Sequence, residues 1–457
     1  MRLFGSGSRD GQYELLPTNS SSSSASYIRR LTFIPSSARR RAFFLLCGVG
    51  ITFLIGVLVV TKPTSVKVAW SNISKSDSGI VKPPTFDRFY ELERHYPQHD
   101  PSLPPPEGEN GRYVWVSNQH WGLGWNNIFQ SLYMMSHMAY LSNRAFVFEP
   151  YTWHKGPESF VDFQGHLIPS RIPLSALIDG PMAGATSFLP GDNHPERCLL
   201  NILIKYVLMR EGPMNETCVE LRGGIEHPFD WPQFGDKTME TVWPTLSQSP
   251  ILTEFRWAQL ILSAVRTNAP VISPSLSSDP PPLVVPDLMA VHIRRGDYLE
   301  HCINLASWSS GYMGWSQSPG LVDVFTPGNY TEAMEHCYPD DDTIVRRINQ
   351  VRHEWETRDG PLVNGKKLRK LYILSNGKRE WVKELKRKIE EGGDWDIVAS
   401  SRDLTLSDEQ IYVAQAVDMA IAQSSGVFMG NGFSSLTANV VMLRRVNGIP
   451  ITSNRYW

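Results

Sequence analysis

The chain has 457 residues, of which 41% are hydrophobic and 11% aromatic, enough for one large core or for two domains. Its 44 lysines and arginines are balanced by 46 aspartates and glutamates, which gives a net charge of -2 at pH 7. This balance excludes the overall positive field typical of nucleic-acid-binding proteins, so no nucleic-acid partner is expected.

The N-terminal segment predicts a membrane anchor. Residues 1–41 are rich in serine and arginine and lack apolar periodicity, which indicates a disordered tail. An uncharged apolar run follows at 42–60, long enough to cross a bilayer as a helix. More basic residues precede this run than follow it, so the tail is expected in the cytosol and the rest on the exported side. A cleaved signal peptide is the alternative, disfavoured by the long leading segment.

The segment after the anchor indicates an exported protein. Residues 61–110 are polar and contain proline clusters, which predicts a semi-extended stem. Three sequons beyond the anchor are candidate glycosylation sites: Asn72, Asn215 and Asn329.

Four of the five cysteines lie well downstream of the apolar run, and none of them has Cys-x-x-Cys spacing. They are Cys198, Cys218, Cys302 and Cys337. Two disulfides are expected; the nearest neighbours in sequence are 198 with 218 and 302 with 337, although three pairings are possible.

The first lobe is predicted to begin with a strand at 113–116, followed by a loop of glycines, tryptophans and asparagines at 121–127. Apolar residues then recur at helical spacing, so a helix is expected with Asn126 or Asn127 as its cap, ending at Asn143 before a short strand. Glycines allow close approach of a ligand, and free amides at a helix start bind anions. The asparagines therefore indicate a polar pocket for a sugar or phosphate, with plain capping as the alternative.

A proline-dense segment, 273–286, is the predicted linker between an N-terminal lobe, 111–285, and a C-terminal lobe, 286–457. The second lobe opens with a buried strand, 288–293, that runs into two arginines and breaks at a glycine. Ligands in open α/β sheets bind at such strand ends.

The two arginines are not equivalent, because side chains alternate along a strand. His292 and Arg294 should face one side of the sheet and Arg295 the other. The planar guanidinium of Arg294 suits a diphosphate, and the neighbouring imidazole can add a hydrogen-bond donor. The alternative is a structural ion pair between Arg295 and Asp297.

Further strands and helices alternate in the second lobe, which predicts a parallel, doubly wound sheet of the α/β class. The predicted strands are 371–374, 397–398 and 427–429, and the predicted helices are 379–390, 407–423 with a capping box at its start, and 436–445. The glycine turn at 430–435, with two serines before a helix, is a second expected anion site. The aspartates at 340–342 and 394–396 are interpreted as caps and turns, so no metal is expected.

Three stretches, 291–297, 417–421 and 428–437, resemble peptide motifs of the GDP-fucose-dependent fucosyltransferases, above all the protein O-fucosyltransferases and the related α1,2/α1,6 enzymes. The loop 124–127 with the helix after it is similar to that family's N-terminal glycine–asparagine loop. The motifs span residues 111–445.

The resemblance implies a GT-B-like fold of two Rossmann-like lobes and an inverting, metal-independent transfer of fucose from GDP-fucose to a hydroxyl of a protein or glycan. It also implies a GDP-sugar held mainly by the C-terminal lobe. Together with the predicted anchor, this leads to the expectation of a single-pass type II protein of the Golgi or endoplasmic reticulum membrane. Arg294 would bind the diphosphate and stabilise the departing GDP. The other donor-binding residues that it implies are His292, Asp418, Ser434, Ser435, Thr437 and Asn127.

The sequence departs from the family pattern in two places. Leu436 stands where the family usually has phenylalanine, and the first-lobe loop lacks an acidic residue to deprotonate the acceptor. Asp297 and Glu149 are the candidate bases, and a route that needs little help from a base is also open.

Two alternatives remain. One is a transferase of the same fold that uses another nucleotide sugar. The other is a catalytically silent, membrane-tethered receptor for a glycan or glycoprotein, which the missing base favours. Retention of Arg294 with Ser434 and Ser435 argues against the receptor, because a lectin has no use for a diphosphate site.

Overall fold

The computed structural model describes residues 82–96, 100, 102, 104, 111–116, 119–163, 165–183, 191–192, 218–221, 234–357 and 367–457. The predicted tail, 1–41, and the predicted anchor, 42–60, lie outside these residues, as do Asn72, Cys198 and Asn215. None of the described helices has both the length and the apolar character needed to cross a membrane.

The described strands are β1 (Tyr113–Val116), β2 (Ala145–Val147), β3 (Tyr151–Thr152), β4 (Phe160–Phe163), β5 (His166–Pro169), β6 (Arg171–Ile172), β7 (Ile178–Asp179), β8 (Gly191–Asp192), β9 (Cys218–Leu221), β10 (Arg256–Trp257), β11 (Val285–Ile293), β12 (Lys370–Ser375), β13 (Ile397–Ser400), β14 (Ser425–Gly430) and β15 (Asn454–Tyr456). The described α-helices are α1 (Asp87–Arg94), α2 (Trp125–Leu141), α3 (Trp243–Leu246), α4 (Pro250–Thr253), α5 (Gln259–Ile272), α6 (Tyr298–Ser307), α7 (Tyr330–Cys337), α8 (Asp341–Glu356), α9 (Arg379–Gly392), α10 (Asp408–Tyr412), α11 (Ala414–Gln423) and α12 (Ser435–Val446).

Two parallel sheets organise the described chain, which confirms the predicted α/β class. The first has the order β8-β2-β1-β9, and the second has the order β13-β12-β11-β14-β15. All their neighbouring strands pair in parallel. Three short antiparallel pairs, β3 with β6, β4 with β5 and β7 with β10, stand apart from these sheets; β3 to β7 lie in sequence between β2 and β8, and β10 lies between β9 and β11.

The central strand β11 is buried on both faces, as its uninterrupted apolar sequence predicts. Leu288 and Ala290 belong to one core cluster, whereas Met289, Val291 and Ile293 belong to another. The two clusters occupy opposite faces because successive side chains of a strand alternate. His292 and Arg294 therefore lie on the same face as Leu288 and Ala290.

Helix α2 follows β1 of the first sheet in the chain. It is apolar on nearly every side and correspondingly buried. The helix ends before Asn143, whose φ of 52° supplies the left-handed residue that stops it, as predicted. The predicted cap is wrong: Gly124 is the N-cap, without a side-chain hydrogen bond, and Asn126 and Asn127 lie inside the first turn.

Cap predictions in the second lobe are confirmed. The side chain of Asp340 accepts from the Thr343 amide at 2.7 Å and begins α8. Ser407 and Gln410 form a reciprocal capping box at the start of α10. The predicted helix 407–423 is interrupted, however, because α10 ends at Tyr412 and α11 starts at Ala414.

Helix α1 lies within the segment 61–110 that was predicted as stem. Its flanking Phe86 and its own Phe89 are buried in the main core, and Glu93 accepts from the Ser175 amide at 2.9 Å. Residues from 83 onward accordingly belong to the same compact unit as the two sheets. The two phenylalanines, three residues apart, give this segment the apolar face that a stem lacks.

Candidate functional site

The order of the second sheet identifies its ligand-binding edge. From β11 the chain proceeds outward through β12 to β13, then returns to place β14 and β15 on the other side of β11. The switch point of this doubly wound sheet is therefore between β11 and β14, and ligands bind there at the carboxyl ends of the strands. Arg294 follows β11 directly, and Asn431 follows β14.

A cleft lies at this edge. Its lining comes from the ends of β11 and β12, from α11, from the start of α12 and from the start of α2. The lining residues are Gly124, Asn126, His292, Arg294, Leu374, Ser375, Asn376, Gln415, Asp418, Ser434, Ser435 and Leu436. The structure thus brings together five of the predicted site residues: His292, Arg294, Asp418, Ser434 and Ser435.

Arg294 holds a buried positive charge with unused hydrogen-bonding capacity. Its side chain is only 10% exposed, and its Nε and Nη2 atoms are buried without a hydrogen-bond partner. Asp297 lies 3.7 Å from Nη2, beyond hydrogen-bonding distance, and the guanidinium stacks 4.7 Å from the ring centre of Tyr298. Buried donors on a charged group are costly unless they are satisfied, so an anion is the natural partner.

His292 is neutral at physiological pH. Burial, with a smaller contribution from the charge of Arg294, lowers the pKa of its imidazole to about 3. Nδ1 lies 2.9 Å from Oγ1 of Thr437, and the Trp457 indole donates to the backbone carbonyl of His292 at 3.2 Å. The imidazole is thereby fixed as an uncharged polar group in the wall of the cleft.

Thr437, predicted to hold phosphate oxygens, is fully buried behind His292 and does not line the cleft. Its hydroxyl is occupied by the imidazole. The structure places it as a support for His292: it stands in the first turn of α12, but its side chain is directed at the imidazole and not at the cleft.

Ser434 and Ser435 stand at the N-terminus of α12. Ser434 is the N-cap residue, but its side chain makes no capping hydrogen bond, so its hydroxyl is available to the cleft. The unbonded amides of the first turn add donors and the positive end of the helix dipole. The turn before them needs glycine at 432, since a Cβ there would lie 2.5 Å from the ring of Tyr312. These groups line the same cleft as Arg294, and a helix N-terminus of this kind can bind an anion.

Asp418 of α11 also lines the cleft. Tyr372 donates to its Oδ1 at 2.6 Å, and Ser401 donates to the carboxylate at 3.0 Å. Burial raises the pKa of this carboxyl to about 7, although both hydroxyls and the charge of Arg402 act against the rise. A carboxyl of this kind can accept from N–H or O–H groups of a ligand.

The first lobe contributes Asn126 to the lining, and the predicted Asn127 does not reach it. Asn439 of α12 donates to the backbone carbonyl and to Oδ1 of Asn126 at 2.9 Å and 3.1 Å. The amide of Asn126 lies 3.5 Å from Gln415 of α11. These contacts join the start of α2 to helices α11 and α12. Asn127 does not line the cleft because adjacent residues of a helix point in different directions.

The two candidate bases differ in position. Asp297 lies beside Arg294, with its carboxylate 42% exposed. Glu149 lines a separate small cavity with Gln119 and His120, and burial raises the pKa of its carboxyl. The alternative ion pair of Arg295 with Asp297 is wrong, because Asp297 pairs with Arg294 instead.

Arg295 points to the other face, as alternation predicts. Its guanidinium donates to the carbonyls of Arg294 and Pro339 and stacks on Tyr338 and Trp381, with ring centres 4.4 Å and 4.6 Å away. It lines a second cavity of about 700 Å³, whereas the cleft at Arg294 encloses only about 50 Å³. A nucleotide in that cleft would extend beyond the enclosed space, so the cleft walls must part or most of the ligand must lie outside them.

Sequence reasoning missed several lining residues. Asn376, after β12, accepts from the Arg295 amide at 2.8 Å and donates to the Arg295 carbonyl at 2.9 Å. The signal in the sequence was its position after the predicted strand 371–374, because the carboxyl ends of parallel strands share one edge of the sheet. Gln415 carries no comparable signal, since it stands in an ordinary helical pattern.

The disulfide Cys302–Cys337 is confirmed. Cys218 is also disulfide-bonded.

Asn329 is exposed, and its side chain caps α7 by accepting from the amides of residues 331 and 332. Of the 340–342 aspartates, Asp341 accepts from the Trp381 indole at 2.9 Å. Within the described ranges, no group of three or more His, Cys, Asp or Glu side chains could hold a metal ion.

Comparison with known proteins gives a likeness of fold. Neither a protein-family model nor a curated protein matches the chain. Among solved structures, it is similar to POFUT1, a GDP-fucose protein O-fucosyltransferase, in complex with GDP-fucose, with 12% identity and a TM-score of 0.45 over 78% of this chain and 99% of that one. The complex of POFUT1 with GDP is 12% identical, with a TM-score of 0.44 over 78% of this chain and 98% of that one. The apo form of POFUT1 is 13% identical, with a TM-score of 0.43 over 76% of this chain and 97% of that one. These values are too low to transfer a ligand or a residue role.

Proposed function

We propose that this protein is a glycosyltransferase that moves fucose from GDP-fucose to a hydroxyl of a protein or glycan. In this proposal the two parallel sheets are the Rossmann-like lobes of a GT-B arrangement, and the donor binds in the cleft at the switch point of the second sheet. The apolar run 42–60 would anchor the protein as a single-pass type II protein in the Golgi or endoplasmic reticulum membrane, with the catalytic part in the lumen.

The observation that carries the proposal is the pair of unsatisfied donors on Arg294. Nε and Nη2 are the two atoms with which an arginine binds a phosphate side-on, and both are buried without a hydrogen bond. Ser434 and the start of α12 line the same cleft and supply further donors. One fixed cation and one helix N-terminus together fit a diphosphate better than a neutral ligand.

The same groups account for the transfer. When the bond between the sugar and the diphosphate breaks, negative charge accumulates on the departing phosphate. The guanidinium of Arg294 and the first-turn amides of α12 are already oriented and stabilise this charge without reorganisation. Inverting transfer then requires attack by the acceptor hydroxyl from the opposite side. Of the two candidate bases, Asp297 lies beside the proposed donor site, whereas Glu149 lies in another cavity.

The test is calorimetric titration of the purified full-length chain with GDP-fucose and with GDP-mannose, each with and without EDTA. Arg294→Ala should weaken GDP-fucose binding by about 10- to 150-fold, because a charge-assisted phosphate contact contributes roughly 1.5 to 3 kcal/mol. Arg387→Ala is the matched control, since this arginine pairs only with glutamates of its own helix and is 53% exposed.

Each outcome selects one function. Metal-independent binding of GDP-fucose that Arg294→Ala weakens by this amount and Arg387→Ala preserves supports the proposal. Preference for GDP-mannose favours a transferase of the same fold with another donor. Failure of the folded protein to bind either nucleotide sugar removes the donor site and favours the silent receptor.

A further inference from the structure

The aromatic ring that stacks on Arg294 and a disulfide-bonded cysteine lie on the same face of one helix. Tyr298, on which the guanidinium stacks, and Cys302 are four residues apart on α6, so they project from one face of the helix. Both side chains are buried. Cys302 is bonded to Cys337, the last residue of α7, at a sequence separation of 35. Helix α6 is thus fixed to α7 one turn beyond the point where it supports Arg294.

The other side of the disulfide supports the neighbouring arginine. Tyr338 and Pro339 directly follow Cys337, and both contact Arg295. The Arg295 guanidinium in turn donates to the Arg294 carbonyl at 3.0 Å. The segments on either side of the bridge therefore hold the two consecutive arginines from opposite faces of the strand end.

The glycine turn is attached at the same point. Asn431, in the turn before Ser434, donates from its side chain to the Cys337 carbonyl at 2.6 Å. The other side-chain atom, Oδ1, accepts from the Phe433 amide at 3.0 Å and so shapes the turn. One cysteine residue thus links the support of Arg294 with the support of the α12 N-terminus.

We propose that the Cys302–Cys337 disulfide positions the diphosphate site. It acts through Tyr298 on Arg294 and through Asn431 on the glycine turn at 430–435. The inference rests on the proposed donor site. The bridge lies outside the cleft lining, and its effect on a ligand passes through the groups that it fixes. Without it, α6 and α7 are joined only by noncovalent packing, and the guanidinium and the helix start lose their fixed spacing. Preorganised groups bind a ligand more tightly because they lose less freedom on binding.

The experiment measures the dissociation constant of GDP for Tyr298→Leu, for Tyr298→Phe and for the double variant Cys302→Ser/Cys337→Ser, together with the thermal midpoint of each. Tyr298→Leu removes the aromatic face and should weaken GDP binding by about 3- to 30-fold, the range of a cation–π contact. Tyr298→Phe keeps the face and loses only a hydroxyl that is buried without a partner, so it should bind GDP as the unmodified protein does.

A double-mutant cycle separates positioning from general damage. In the Arg294→Ala background, Tyr298→Leu should cause no further loss of GDP affinity, because its effect passes through the guanidinium. The double cysteine variant should weaken GDP binding by about 10-fold or more. Cys218→Ser, which breaks a disulfide in the first sheet, should lower the thermal midpoint and leave GDP affinity unchanged.

The proposal is overturned if the double cysteine variant is folded and binds GDP normally, or if Tyr298→Leu weakens binding equally with and without Arg294. If the cysteine variant does not fold, the tyrosine cycle still tests the route through Tyr298 that the proposal requires, and an equal loss with and without Arg294 overturns it. A failure of the donor site is distinguishable, since the unmodified protein would then bind no GDP at all.

Discussion

The buried carboxyl of Asp418 predicts a specific dependence of stability on pH. Its folded-state pKa is raised from 3.8 to about 7 by burial, so the folded protein binds this proton more tightly than the unfolded chain does. The stabilising contribution of the proton is therefore present below pH 3.8 and is lost as the pH rises through about 7. Asp418→Asn removes the titration and should make this part of the profile flat.

The size of the effect follows from the shift. A change of one pKa unit corresponds to about 1.4 kcal/mol, so a shift of about three units gives at most about 4 kcal/mol across the window. We expect the free energy of unfolding of Asp418→Asn, relative to the unmodified protein, to rise by about 2 to 3 kcal/mol between pH 5 and pH 8, because about two of the three units lie in this window. Urea denaturation at both pH values measures it, and other titrating groups cancel in the comparison.

The same experiment has a clear negative result. If the unmodified protein and Asp418→Asn change in stability by the same amount between the two pH values, the carboxyl is not titrating in this range and its burial does not matter. Ser407→Ala is a suitable control, because it removes a cap worth about 1 kcal/mol at either pH and carries no titratable group.

Three further predictions concern the scaffold of the cleft. Arg444→Met should lower the free energy of unfolding by about 3 to 5 kcal/mol in urea denaturation, because this fully buried guanidinium donates to several backbone carbonyls that would be left unpaired; a loss below 1 kcal/mol would contradict this. Thr437→Val keeps its shape but releases His292, so GDP affinity in calorimetry should fall about 3- to 10-fold, and unchanged affinity would show that the imidazole needs no support. Gly432→Ala should displace the glycine turn at 430–435, since its Cβ would lie 2.5 Å from Tyr312. GDP binding should weaken while the thermal midpoint changes little; a lower thermal midpoint with unchanged GDP affinity would refute a role for this turn in binding.

Local patterns predicted the strands and helix caps of the second sheet well. Strand β11 with Arg294 at its end, the capping box of Ser407 and the cap of Asp340 all follow from short-range rules, and the structure confirms them. Alternation along β11 correctly separated Arg294 from Arg295, because burial on both faces leaves the strand no freedom of register.

The errors arise where contacts between distant parts of the chain decide. Asn126 faces the cleft because Asn439, more than 300 residues later, bonds to it, and no local signal distinguishes it from Asn127. Thr437 lies behind His292 because the rotation of α12 about its axis is set by packing, which the motif does not encode. The alternative ion pair of Asp297 with Arg295 does not form, because the guanidinium of Arg295 is hydrogen-bonded to Pro339 and Asp297 lies beside Arg294.

The central claim is that a nucleotide diphosphate binds at Arg294, and a crystal structure of the protein with bound GDP-fucose tests it most directly. We predict phosphate oxygens at about 2.8 Å from Nε and Nη2 of Arg294, with Ser434 and Ser435 on the other side of the diphosphate. A diphosphate bound elsewhere, for example in the cavity beside Arg295 and Lys378, or no bound nucleotide at saturating concentration, would contradict it.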